Sequence, residues 1–291
     1  MDKYLKPVYF HLPGIFEFTN IYERLVKLYM ERSEVFKDNL IIGSIYGSPG
    51  MHIWNGGRFI QQPKSANEQE HIKNFMADAG IPVRFTFTNC LIEEKHLTDT
   101  LCNNTTAQFH TPLNEILCNS PVLEEYLREK YPNYSFISST TKRLLTQEAV
   151  ERESEKTYKL VVLDYVLNND FKTLAKLKNK DKLEVLCNAV CYPNCAKRME
   201  HYVNISRAQL ENNGGILMRC DTAGYTFDKA MQMPHFVSVD AINKYVKLGY
   251  KNFKLEGRTT HPLDLIEILL YYLIKEEYKP EIRTEFHKLI W

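Results

Sequence analysis

The sequence predicts an α/β fold, a (β/α)8 TIM-like barrel preceded by an N-terminal helix. Three observations carry this. Eight apolar runs of β-type residues recur along the chain. Stretches between them place apolar residues one helical turn apart. Eight strands alternating with helices over roughly 250 residues is the pattern of such a barrel. A doubly wound open sheet is the alternative, but no Gly-rich phosphate turn supports a dinucleotide site.

In chain order, an amphipathic helix over about 17–36 belongs to an N-terminal extension (1–38), and a single barrel domain fills 39–291. The predicted strands are NLIIGSIYG (39–47), IPVRFTFTNC (81–90), LNEILCNS (113–120), YSFISSTT (134–141), YKLVVLDYV (158–166), KLEVLCNAV (182–190), PHFVSVD (234–240) and YKNFKLEGR (250–258). Val122, Leu123, Tyr126 and Leu127 mark one intervening helix, with Ser120-Pro121 as its start signal. Ala241, Ile242, Tyr245 and Val246 mark another, with Asp240 at its start. The aromatic tail EFHKLIW (285–291) is expected to dock on its own barrel.

The composition is that of a globular protein: 291 residues, 44% hydrophobic, 25% charged, formal net charge +1. A near-neutral chain has no global pull toward nucleic acid. The start, Met1-Asp2-Lys3-Tyr4, has no apolar signal core, and the most apolar run, 263–274, is too short to span a bilayer. The expectation is a cytoplasmic protein with a small-molecule substrate and no membrane partner. Seven cysteines with no signal peptide read as intracellular thiols or metal ligands rather than a disulfide framework.

Alternation along each strand sorts its side chains, because in a barrel every second residue points inward. Arg84, Thr86, Thr88 and Cys90 then face in, and Phe85 and Phe87 face the helices. Leu160, Val162 and Asp164 face in on the fifth predicted strand, and Glu184, Leu186 and Asn188 on the sixth. Lys254, Glu256 and Arg258 face in on the last. The interior is therefore polar toward the C-terminal strand ends, where barrel active sites sit. Glu256 and Asp164 are the candidates for proton transfer, with Lys254 and Arg258 holding them ionised or gripping substrate carboxylates. Asn188 and the loop YGSPGMHIWNGGR (46–58) are expected to line the pocket, with His52 and Arg58 facing an anionic or aromatic substrate. A paired, purely structural ion network would give the same pattern.

The same alternation divides the thiols. Cys187 packs outward against a helix, as free cysteine behaves as a small hydrophobe. Packing is also the default for Cys118. Cys191 and Cys195 leave the strand at the barrel mouth in a Cys-x3-Cys pair. Such a pair is half of a site for a soft metal, and its other ligands must come from elsewhere. Cys220 and Cys90 are the candidates, with Cys102 an alternative to Cys90 and His201 able to complete a mixed zinc site. A reduced thiol loop without metal stands beside this reading.

Two segments resemble a known family. YKNFKLEGR (250–258) looks like the G-x-x-x-(F/L)-K-I-E-G-R segment of the collagenase-like peptidases, the unassigned class, family 32. CYPNCAKRMEHY (191–202) resembles the Cys-x-x-x-Cys-x-x-Arg-x-x-His block of its short, barrel-only relatives, and 119–141 fits their third and fourth strands. The resemblance spans about 80–291. It implies a barrel enzyme, either a peptidase or an oxygen-independent hydroxylase holding a [4Fe-4S] cluster on four cysteines. By it, Cys191 and Cys195 match a close cysteine pair, Cys220 is a third ligand by position, and Lys254, Glu256, Gly257 and Arg258 match the signature. The cysteine spacing departs from that of the hydroxylases. Hydroxylation of a small or aromatic substrate is the leading expectation. A hydrolase is the alternative, although the sequence has no G-x-S-x-G elbow and no H-E-x-x-H pair. A non-enzymatic barrel binding zinc or a ligand is the third.

Overall fold

Eight parallel strands hydrogen-bond in sequence order, and the last closes on the first. The computed structural model describes residues 2–213 and 224–290. The strands are β1 (Lys3–Pro13), β2 (Asp38–Gly47), β3 (Val83–Phe87), β4 (Glu115–Cys118), β5 (Ser135–Ser138), β6 (Leu160–Val162), β7 (Leu183–Leu186) and β8 (Asn252–Lys254). The helices are α1 (Thr19–Glu31), α2 (Ala66–Asp78), α3 (Thr100–Gln108), α4 (Pro121–Lys130), α5 (Gln147–Ser154), α6 (Phe171–Lys176), α7 (Arg198–Glu211), α8 (Phe227–Met231), α9 (Val239–Leu248), α10 (Pro262–Leu273) and α11 (Lys279–His287).

The predicted fold class, a (β/α)8 barrel, is the observed one, but two strand assignments change. The barrel begins at Lys3, inside the segment read as a helical extension. Tyr9, Phe10 and His11 of β1 pair with Asn252, Phe253 and Lys254 of β8 and close the ring. The first half of β1 hides this in the sequence: Leu5 is exposed, Lys3 and Lys6 interrupt the apolar pattern, and Pro7 lacks a ladder donor. The run 39–47 is therefore the second strand. The other change removes a strand. The segment 234–240 makes one backbone bond to the end of β7, from Val237 N to Cys187 O at 2.8 Å. Ser238 then caps α9, its hydroxyl accepting from Ala241 N, so a helix start overrides the β-type composition. The cap is Ser238, and Asp240 stands in the first turn.

Ser120 and Pro121 start α4 as expected, the Ser120 hydroxyl accepting from Leu123 N. The alternation holds. Phe85, Phe87, Val161, Leu163, Val185, Cys187, Phe253 and Leu255 join the apolar layer between strands and helices. Inside the barrel, Leu117, Ile137, Leu160 and Val162 form a separate cluster. Phe85 shows what the outer layer contributes. It stacks on Phe87 at 5.1 Å and meets Phe109 edge-on at 5.2 Å. Burying such a ring stabilises the fold by about 1.5–3 kcal/mol. Near the C-terminus, Ile282 and Phe286 of α11 are buried, and Leu289 and Ile290 pack on the core.

The barrel waist carries charge. Arg84 donates to Glu115 at 2.7 Å and to both oxygens of Glu184 at 2.7 and 2.9 Å. Lys159 adds a second cation to Glu115 at 2.6 Å. Arg84 also donates to His11 Nδ1 at 2.8 Å, which makes that nitrogen an acceptor and puts the imidazole proton on Nε2, 3.4 Å from Glu184. Burial and the Arg84 charge push His11 down to about 4, so it is neutral. Burial opposes ionisation of Glu184, and Arg84 overcomes it, holding the carboxyl at about 2.

Candidate functional site

The C-terminal ends of the strands open into a cleft lined by Tyr46, Arg58, Thr86, Tyr202, Lys254, Glu256 and Arg258, among others. The end of β8 and the chain just past it supply its acid and two of its cations. Asn188 fixes that segment: its amide oxygen accepts from Glu256 N at 2.7 Å, and its amide nitrogen donates to Glu256 O at 3.0 Å. It also bonds the Tyr225 hydroxyl. Asn188 is thus a fully buried clamp on the backbone of Glu256 rather than part of the cleft wall.

Glu256 turns its carboxylate into the cleft and pairs with Arg58 at 3.1 Å. Both side chains keep partial exposure, 20% and 32%. Arg58, not Arg258, is the cation beside this acid. Arg258 is buried and spends its donors on Asn55 Oδ1 (2.9 Å), Thr86 Oγ1 (2.7 Å) and Gly56 O (2.7 Å). It pins the loop after β2 across the end of β3. That loop lies so close that a Cβ on Gly56 would sit 2.4 Å from the Thr88 backbone, so only glycine fits.

Lys254 forms the floor. Its amine lies 3.8 Å from the centroid of the Tyr46 ring and 3.8 Å from the nearest Glu184 oxygen. It has no hydrogen-bond partner among the described residues. Burial, with Arg84 and Arg258 adding to it against Glu184, pushes this amine down to about 7.

Asp164 and His52 are placed elsewhere. Asp164 makes a double ion pair with Arg198, both contacts at 2.9 Å, and accepts from Val166 N. It anchors α7 to β6 and does not line the cleft. His52 is 1% exposed, with its nitrogens on Gly50 O and Thr105 Oγ1. It holds its own loop against α3 and does not face a substrate.

Cys187, Cys118 and Cys102 are buried in the outer core, and burial pushes their thiols up. Cys102 is thereby withdrawn from the ligand candidates. Cys191 and Cys195 are partly exposed in the turn that leads into α7, where Arg198 N donates to Cys195 O at 3.2 Å. Burial raises the Cys191 thiol. Cys90 lies 3.3 Å from the Ser206 hydroxyl of α7 and lines a neighbouring groove with Met199. Cys220 falls outside the described residues. Among those residues, no three or more His, Cys, Asp or Glu are grouped to hold a metal. They offer a thiol pair, not a complete cluster or zinc site, and His201 makes no hydrogen bond to Cys195.

One acid escaped the sequence reading. Glu17 sits behind Arg258, both carboxylate oxygens buried without a hydrogen bond among the described residues. Burial, against the attraction of Arg258, pushes it up to about 7. The available signal was a lone acid inside the apolar run GIFEF (14–18).

No family model and no curated protein matches the sequence. Among solved structures, the chain is similar to the U32 peptidase Mk0906, with a TM-score of 0.52 and 12% identity over 87% of this chain and 94% of that one. The barrel has the fold of a U32 peptidase. At this identity the likeness is one of fold alone. The spore cortex-lytic enzyme SleL of Bacillus cereus also matches, at a TM-score of 0.38 and 10% identity over 93% of this chain and 74% of that one, a distance at which nothing is transferred. No helix among the described residues is long and apolar enough to cross a membrane.

Proposed function

We propose that the protein is an enzyme whose active site is the barrel mouth and whose substrate is a small molecule carrying an anionic group. The observation that carries this is the Glu256–Arg58 pair, partly exposed to the cleft at the C-terminal strand ends. A guanidinium of this kind takes a carboxylate in a two-point grip. Glu256 beside it exchanges a proton with the bound molecule. The fold shared with a U32 peptidase makes the carboxyl end of a short peptide one member of this substrate class. A hydrolase reading stands beside this one, with no hydroxyl–imidazole pair lining the cleft among the described residues. The Ser and Thr hydroxyls that bond imidazoles, Ser44 with His11 and Thr105 with His52, are buried in the core.

The test is thermal unfolding with acetate, inorganic phosphate and a dipeptide as probes. A ligand present at 100 times its Kd stabilises by about 2.7 kcal/mol. Raised Tm with at least one probe is expected, and Arg58→Gln removes it. An unchanged Tm with all three, or a shift that survives Arg58→Gln, overturns the reading.

A second reading rests on the thiol pair. Cys191 and Cys195 share one partly exposed turn past β7, and with Cys220 and Cys90 they are proposed to hold a [4Fe-4S] cluster, with zinc as the alternative metal and hydroxylation as the chemistry a cluster would serve. Iron and acid-labile sulfide in anaerobically purified protein support it. Zinc alone removes the cluster and leaves the zinc alternative; neither metal, or metal content unaffected by Cys191→Ala with Cys195→Ala, removes the reading.

A further inference from the structure

The mouth reading uses Arg58 and Glu256 and leaves the amine on the cleft floor unassigned. Lys254 is unusual among the lysines of this chain. Its side chain is 6% exposed, it has no hydrogen-bond partner among the described residues, and its nearest carboxylate oxygen stands off at 3.8 Å. A lysine with a purely structural task makes direct contacts: Lys159 reaches Glu115 at 2.6 Å, and Lys142 reaches Glu153 and the Tyr158 hydroxyl at 2.8 Å each. No hydrogen bond among the described residues engages the Lys254 amine, and it lines the open cleft.

We propose that Lys254 is an amine nucleophile that condenses with the carbonyl group of an anionic oxo compound, of which a 2-oxo acid is the simplest. This rests on the mouth being an anion-binding active site. The amine nitrogen attacks the carbonyl carbon and forms a C–N bond, while the carbonyl oxygen takes up a proton and becomes hydroxyl. The nitrogen gives up one proton as the oxygen takes one up, leaving a neutral carbinolamine; loss of its hydroxyl as water, with one further proton supplied to it and the second N–H proton released, gives the imine. Protonation of the imine gives the iminium ion. One amine and one carbonyl become one imine and one water, and no redox partner is needed. Glu256 lies two residues along the same strand extension, so both side chains face the cleft, and its carboxylate takes up the proton shed by the nitrogen and returns it to the departing hydroxyl. Arg58 holds the carboxylate of the oxo acid.

The electrostatics support the chemistry. An amine must shed its proton before it attacks, and a lysine gains this state near neutrality by desolvation and neighbouring cations. Burial, Arg84 and Arg258 act in that sense on Lys254 and bring it to about 7.

Reductive trapping tests this. The full chain is treated at pH 7 with cyanoborohydride and either glyoxylate or acetaldehyde, two-carbon aldehydes that differ by a carboxylate for a methyl. Peptide mapping by mass spectrometry reads the extent of modification at each lysine. The expected result is that glyoxylate modifies Lys254 at least about tenfold faster than the exposed lysines, with a midpoint in pH well below their ordinary ~10.4. Acetaldehyde modifies it too, but more slowly. Equal rates for the two aldehydes at Lys254 support the amine and count against the anion grip, which separates the two readings. Arg58→Gln should lower the glyoxylate rate and leave the acetaldehyde rate alone. Modification of Lys254 no faster than that of surface lysines with either aldehyde overturns the proposal.

Discussion

The barrel waist and the barrel mouth both bury charge, and they treat it in opposite ways. At the waist, Arg84 meets two carboxylates directly, His11 is neutral with its tautomer fixed, and Lys159 completes Glu115. The charges there are closed on one another. At the mouth, further along the same strands, Lys254 makes no hydrogen bond among the described residues and reaches Glu184 only at 3.8 Å, Glu256 has one partly exposed partner, and both open to a cleft. Closure of the first kind is what burial of ions demands for folding. An open arrangement of the second kind contributes little to folding and is what chemistry on a bound molecule requires.

Breaking the closed network has the largest expected effect. Arg84→Met leaves Glu115 and Glu184 without their shared cation. Removing one partner of a buried pair costs about 3–5 kcal/mol, and urea unfolding of the variant should show a loss in that range. Asp164→Asn strips Arg198 of its double ion pair and should cost somewhat less, about 2–3 kcal/mol, because Tyr165 and Tyr202 still cover that guanidinium.

Glu17 gives a sharper comparison, since its effect depends on pH. Its folded carboxyl is up at about 7 against an ordinary 4.5, so the fold holds the proton more tightly than the unfolded chain does. Stability from this group is full below pH 4.5 and is lost as pH rises through 7. His11 runs the other way: it is lowered to about 4 from 6.5, so its contribution is full above 6.5 and is lost as pH falls toward 4. The two oppose each other between pH 4.5 and 6.5. Glu17→Gln should therefore raise stability at pH 8 by about 1–3 kcal/mol and leave it near wild type at pH 4.5. Between those values, it should expose the His11 decline. Thermal unfolding across pH 4.5–8 checks this; a constant offset at every pH would remove Glu17 from the account.

The smallest effect tests the thiols. Cys191→Ala and Cys195→Ala touch partly exposed side chains and should change the stability of metal-free protein by less than about 0.5 kcal/mol each. A larger loss in iron-containing protein would mark the pair as ligands.

Much of this was legible in the sequence because strand alternation is strict. Phe85 and Phe87 against Arg84 and Thr86, or Phe253 and Leu255 against Lys254 and Glu256, sort themselves into the apolar and polar sides with no other information. Four things were not legible. β1 starts on a Lys- and Pro-broken stretch, and the pairs that close the ring, from Tyr9 to His11, are made with β8 at the far end of the chain. The run 234–240 has strand composition, but a serine cap starts a helix there. Asp164 and Arg258 have the residue types of a catalytic site, and only their partners reveal that they brace α7 and the loop after β2. Arg58, one cation among many in a loop, gave no pattern by which its pairing with Glu256 could be read.

The contrast between waist and mouth is tested most directly by measuring the unfolding free energies of Arg84→Met and Lys254→Met side by side. The account predicts that Arg84→Met loses about 3–5 kcal/mol, while Lys254→Met is as stable as wild type or more so, because a buried amine with no hydrogen bond among the described residues is replaced by an apolar side chain of similar length. Comparable losses in both would contradict it: Lys254 would then be one more member of the structural network, and the mouth would have no amine set aside for chemistry.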